Sequence, residues 1–168
     1  IPINYSNTPA EMVEAEQPIV VERYGFVPDS GGPGKFRGGL ALVRDVRFVG
    51  EEGTLQVRSD RRKFQPYGLK GGKPGTPSLN VLNPDSEPQV LPSKFLLTIK
   101  RGDLFRLVLA GGGGYGDPLE RDPDLVLRDI LEEKITSAHA RAEYGVAVTG
   151  DPPVIDREAT KRLRALRK

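Results

Sequence analysis

The sequence has no cysteine and a single histidine, His139. The first absence excludes disulfides, thiolate metal sites and a cysteine nucleophile, and it leaves the cytoplasm as the default expectation. His139 has no H-x-x-x-H partner, so it reads as an ordinary residue of a short helix. No apolar run approaches the roughly 20 residues needed to cross a bilayer, and no secretory leader is recognisable. No charge sign dominates either: 25 Lys and Arg face 23 Asp and Glu, a net charge of +2. That balance argues against a nucleic-acid protein, and no membrane partner is expected. Apolar residues are also scarce, at 37% of 168 residues. A chain of this length suits one domain or slightly more. Its first residue is Ile1 rather than Met, as in a fragment or a processed product.

What is abundant is glycine, with 20, and proline, with 15. Both punctuate a chain whose pattern predicts an α+β fold with a mainly β, mostly antiparallel body. Residues 1–17 read as an N-terminal helix and linker, 18–110 as the β-rich body, and 111–168 as a glycine-rich junction with a helical tail. Thr8 and Glu11 have capping-box spacing, with Pro9 in the first helical position. Ile19 to Val27 reads as a strand, rich in β-branched and aromatic residues. Alternation from Leu40 to Phe48 and from Leu55 to Val57 predicts a hairpin turning at Gly50 to Gly53. "LNVLN" is a short strand and "PDSEPQVLPS" a connection. "KFLLTIKRGDLFRLVLA" reads as a second hairpin.

After the glycines the period lengthens to 3.6. Asp122 and Pro123 open a helix whose apolar stripe is Leu127, Ile130, Leu131 and Ile135. Thr136 or Ser137 caps the next helix and Gly145 closes it. "VAVTGDPPV" reads as extended. Asp156 caps a final helix with Ala159, Leu163 and Leu166 on one side.

The stretch "LAGGGGYGDP" is the most unusual. It follows a strand, yet no Lys-Ser or Lys-Thr follows it, and Pro118 delays the next helix. It therefore reads as a bend or an interface loop rather than a phosphate cradle. As a bend it should hold at least one of Gly111, Gly112, Gly113 and Gly114 at positive φ, with the Tyr115 ring packed for support. No Ser-His-Asp arrangement can be assembled. In "VRSDRRKFQPYG", Asp60 is expected to pair with a nearby arginine and hold the loop from Arg61 to Gly75. Basic residues interleave with aromatics from Lys35 to Tyr67. Asp45, Glu51, Glu52 and Asp60 among them point to a salt-bridged sheet face instead of a nucleic-acid groove.

Five stretches occur in order: "NTPAEMVEAEQP", "VERYGFVPDSGGPGKFRGGLALVRDVRF", "SDRRKFQPYGLKGGKPG", "LPSKFLLTIKRGD" and "GGGGYGDPLERDPDLVLRDILEEKIT". Together they resemble the C-terminal part of hydantoinase B and 5-oxoprolinase subunits, a family that extends to acetone and acetophenone carboxylase subunits. The resemblance runs from about Asn7 to Val148. It implies part of an ATP-dependent hydrolase of cyclic amides such as hydantoin, N-methylhydantoin or 5-oxoproline. The partners implied are a hydantoinase A-type subunit and the N-terminal part of the B subunit. ATP and a divalent metal are implied for the complete enzyme, with no cofactor in this chain. The family's metal-liganding motifs lie upstream of the matching region, so no catalytic residue carries over, and the chain alone is expected to be inactive. What carries over are loop positions: Arg37, Ser59, Asp60, Arg61, Arg62, Gly111, Gly112, Gly113, Gly114, Tyr115, Gly116 and Asp117. The alternative is a separately encoded structural module of a related carboxylase, with no chemistry of its own.

Overall fold

The computed structural model describes residues 8–167. It opens with α1 (Ala10–Glu16) and β1 (Ile19–Val27), then β2 (Ala41–Phe48) and β3 (Glu52–Arg58). Strands β4 (Leu79–Leu82), β5 (Gln89–Leu91), β6 (Lys94–Lys100) and β7 (Leu104–Val108) follow. The rest is α2 (Pro123–Leu131), α3 (Ser137–Tyr144), β8 (Ala147–Thr149), β9 (Val154–Asp156) and α4 (Arg157–Ala165). The class is α+β with a mainly β body, as the pattern predicts.

The chain forms two compact units. The first gathers residues 8–24, Val43–Arg58 and Leu79–Leu107. Its larger sheet has the order β1-β2-β7-β4-β5, and β3 pairs with β6 in a separate ribbon. The ribbon is antiparallel and sets Leu55 opposite Leu97 and Val57 opposite Phe95. Strict alternation turns Phe95, Leu97 and Ile99 inward and Leu96 and Thr98 outward. The inward side chains join Phe48, Leu82 and Phe105 in one core.

Neither predicted hairpin forms. The turns are where the sequence puts them, and Asp103 N–H donates to the Lys100 carbonyl at 3.0 Å. The strands beside each turn nevertheless enter different sheets: β2 and β7 the large sheet, β3 and β6 the ribbon. Phe48 explains the first corner. A Cβ on Gly50 or on Gly53 would lie 2.8 Å from the Phe48 ring, so the chain wraps around that ring. Both sheets bury one face against a shared core, so alternation alone cannot say which sheet a strand joins.

Smaller departures have local causes. Pro9 occupies the N-cap of α1 and no side chain caps it, so the capping box does not form. The carboxylate of Glu14 instead accepts from Val21 N–H at 2.7 Å. Gln89–Leu91, read as a connection, pairs with β4.

The second unit gathers Gly25–Leu42, Ser59–Ser78 and residues 108–167. Its apolar core is Val126, Ile135, Ala140, Tyr144 and Val146. Val126 is the fully buried residue of α2, whereas Leu131, placed on the stripe by spacing, is exposed. Asp122, Thr136 and Asp156 cap their helices as expected, and Gly145 ends α3 at φ 61°. The extended stretch after it is a small hairpin of β8 and β9. In α4 the buried residue is Thr160, which accepts from Ala147 N–H at 3.0 Å, while Leu166 is exposed.

Candidate functional site

Three extended segments of the second unit, around residues 30–39, 65–76 and 109–116, lie side by side and exchange backbone hydrogen bonds. Gly32 N–H donates to the Gly112 carbonyl and Gly112 N–H to that of Gly39, both at 2.8 Å. Gly114 N–H donates to Lys73 and Leu69 N–H to Gly114, both at 2.9 Å. Phe36 and Tyr115 exchange a pair at 2.9 Å. The segments approach so closely that side chains have no room. A Cβ on Gly111 would lie 1.9 Å from the Ser30 carbonyl oxygen, one on Gly113 2.0 Å from that of Tyr67, and one on Gly114 2.2 Å from that of Pro33. Partner segments answer in kind: a Cβ on Gly38 would meet the Gly112 carbonyl oxygen at 2.0 Å, and one on Gly75 that of Gly111 at 2.2 Å.

This corrects the reading of the run as a positive-φ bend. None of Gly111 to Gly114 is left-handed; Gly116 is, at φ 75°. Glycine is required because backbone packs on backbone. The same hydrogen bonds answer the phosphate question. A phosphate cradle needs N–H groups aimed at the ligand. Here the N–H groups of Gly111, Gly112, Gly114, Tyr115 and Gly116 all donate to carbonyls of the protein. Those five N–H groups are engaged by the protein and do not form a phosphate cradle.

Arg37 is held beside this bundle. Its Nε and one terminal nitrogen donate to the Asp129 carboxylate at 3.2 and 3.3 Å, and the other terminal nitrogen donates to the Gly38 carbonyl at 2.7 Å. Arg121 donates to the same carboxylate at 2.8 Å and to the Lys35 carbonyl at 3.1 Å. Asp129 is buried, so two guanidinium groups neutralise one desolvated carboxylate. Sequence reasoning missed Asp129, because an aspartate at mid-helix looks like a surface residue. Tyr144, in the core below, contacts the Arg121 guanidinium at 6.0 Å from its ring centre. Burial pushes the Tyr144 hydroxyl up to about 12, with Arg121 opposing that shift.

Of the other flagged positions, Ser59 is buried. Asp60 is exposed, and its carbonyl accepts from the Ser78 hydroxyl. Arg61 has φ 62°, and its carbonyl accepts from Ser78 N–H at 3.3 Å. Arg62 is half-buried. Asp117 accepts from Leu119 N–H at 2.8 Å and caps a short 3-10 turn, Pro118–Glu120. The Tyr115 ring is not buried support as expected; it lies half-exposed, 6.2 Å from the Phe36 ring. The basic stretch is salt-bridged only in part. Arg47 pairs with Glu22, but Arg44 stacks on the Tyr24 ring at 4.6 Å.

A cleft of about 290 Å³ opens beside the bundle, lined by Asp29, Ser30, Gln65, Lys73, His139 and Glu143 among others. Asp29 accepts from the Thr136 N–H and hydroxyl at 2.7 and 2.8 Å, and it lies 3.8 Å from His139 Nδ1. Lys73 pairs with Glu143. The Ser30 hydroxyl donates to the Val27 carbonyl and accepts from Ala41 N–H, so it is spent on the backbone. Among the described residues no three His, Asp or Glu side chains converge as metal ligands. Among the described residues no helix is long and apolar enough to cross a membrane.

Residues 1–118 match the family model for hydantoinase B/oxoprolinase. An uncharacterized protein of Methanocaldococcus jannaschii is 38% identical over 95% of this chain. Caprolactamase subunit beta of Pseudomonas jessenii is 33% identical over 92% of it. The crystal structure of ATP-dependent caprolactamase from the same organism superimposes with a TM-score of 0.83 at 31% identity, covering 94% of this chain. The chain belongs to the hydantoinase B/oxoprolinase family. It spans only 29% and 27% of the two relatives' lengths and 28% of the solved chain.

Proposed function

We propose that this chain is the C-terminal segment of a B-type subunit in an ATP-dependent cyclic-amide hydrolase acting on hydantoin, N-methylhydantoin or 5-oxoproline. The observation that carries this reading is the match of nearly all of this chain to part of the beta subunit of caprolactamase. Caprolactam is itself a cyclic amide. In this reading the chain contributes a rigid backbone platform rather than the reacting groups, and the donor set here does not fit ATP or a divalent metal. Both belong to the rest of the enzyme, held by a hydantoinase A-type subunit and the N-terminal part of the B subunit. The loop positions Arg37, Ser59, Asp60, Arg61, Arg62 and Gly111 to Asp117 then serve assembly. The test is turnover. The chain alone, given ATP and 5-oxoproline or a hydantoin, should open no ring. The complete assembly should open one while releasing ADP. Ring opening by the chain alone would overturn the assignment of the chemistry to the other parts.

A further inference from the structure

The glycine bundle carries an apolar surface that its own unit leaves uncovered. Phe36 is 62% exposed, Leu69 55% and Tyr115 49%. These three adjoin: Tyr115 bridges to Phe36 on one side and to Leu69 on the other. Tyr67, on the same segment as Leu69, is 73% exposed. Its backbone is locked, because its carbonyl oxygen occupies the space where a Cβ on Gly113 would lie. Lys35 and Lys70 neighbour Phe36 and Leu69 in the chain, and Lys35 pairs with Glu120 at 3.2 Å. Exposed aromatic residues on a backbone fixed before contact are features of a protein interface. Monomers rarely leave such a cluster open.

We infer that this surface, Phe36, Tyr67, Leu69 and Tyr115, seats the remaining length of the B-type subunit, through an apolar face of that segment. The occupant follows from length. Relatives matched along nearly all of this chain are more than three times longer, since the chain spans 29% and 27% of them. Backbone packed on backbone fixes these positions but leaves their side chains uncovered. The inference rests on the functional reading above.

The test mixes the 168-residue chain with the rest of a hydantoinase B-type subunit, expressed separately. Association is measured by calorimetry and ring exposure by hydroxyl-radical footprinting. Phe36, Tyr67 and Tyr115 should lose reactivity in the mixture. Phe36→Asp should weaken association at least ~tenfold, and Tyr67→Ser, which leaves the glycine packing intact, should weaken it measurably. Leu96→Asp, at an exposed position of the first unit, should leave it unchanged. Thermal melts of each variant check the fold. Three results would overturn the inference: no association of the native chain, variants that bind as well as native, or a native dimer that only Phe36→Asp dissociates while the added segment still binds. Turnover separates the two claims. Association through these rings without ring opening contradicts the functional reading alone, and full activity in an assembly carrying Phe36→Asp contradicts the surface alone.

Discussion

Gly111 cannot accept a methyl group, because its Cβ would overlap the Ser30 carbonyl oxygen at 1.9 Å. Gly113 and Gly114 are as tight, whereas the nearest atom to a Gly112 Cβ is at 3.0 Å. Gly111→Ala, Gly113→Ala and Gly114→Ala should each cost about 1–3 kcal/mol or more, as overpacking does, and Gly112→Ala should be the mildest. Gly39→Ala meets nothing within 4 Å and should be neutral or gain up to about 1 kcal/mol. Chemical denaturation of the five variants checks that ranking. Removing Asp129 leaves two arginines facing each other in a largely dry setting. Asp129→Ala should cost about 3–5 kcal/mol, the penalty for breaking a buried ion pair. Tyr144 supplies a pH dependence. Its hydroxyl has no hydrogen-bond partner among the described residues, and burial raises its folded pKa to about 12 from 10. A raised folded value means that the stability is fully present below about pH 10 and is lost as pH rises toward about 12. Tyr144→Phe should flatten that loss and hold or raise stability at pH 7, by about 1 kcal/mol for one unpaired polar group removed. Melts between pH 7 and 11 check both. The glycine run was legible in the sequence as unusual, but its reason was not. The oxygens that forbid a side chain belong to Ser30, Pro33 and Tyr67, many tens of residues away along the chain.

At the level of elements, the longer strands and the caps of the last three helices were legible, whereas the start of α1, the short strand β5 and the pairing were not. Ile19–Val27 forms the strand that its β-branched residues predict, and Asp122, Thr136 and Asp156 cap as their spacing predicts. These signals are local. Pairing is decided by which core face each strand joins, and two faces around one core have the same alternation. The corner at Phe48 is the place to test this. Gly53→Ala should cost about 1–3 kcal/mol by pressing on the Phe48 ring. Phe48→Leu in the same chain should recover part of that loss. A double-mutant cycle on melting data reads the coupling, and strict additivity would count against the corner.

For the whole molecule, family membership was legible because five motifs recur in order. The role of the chain's loops was not, since no spacing among their residues names a chemistry. The packed glycines present rings that the described residues leave uncovered. The most direct measurement is reconstitution. The chain, the remaining B-type segment and an A-type subunit are combined with ATP and a cyclic amide, and ring-opened product and ADP are quantified together. The account predicts coupled product and ADP only when all three parts are present, with loss on omission of this chain. Equal turnover without this chain, or ring opening by the chain alone, would contradict it.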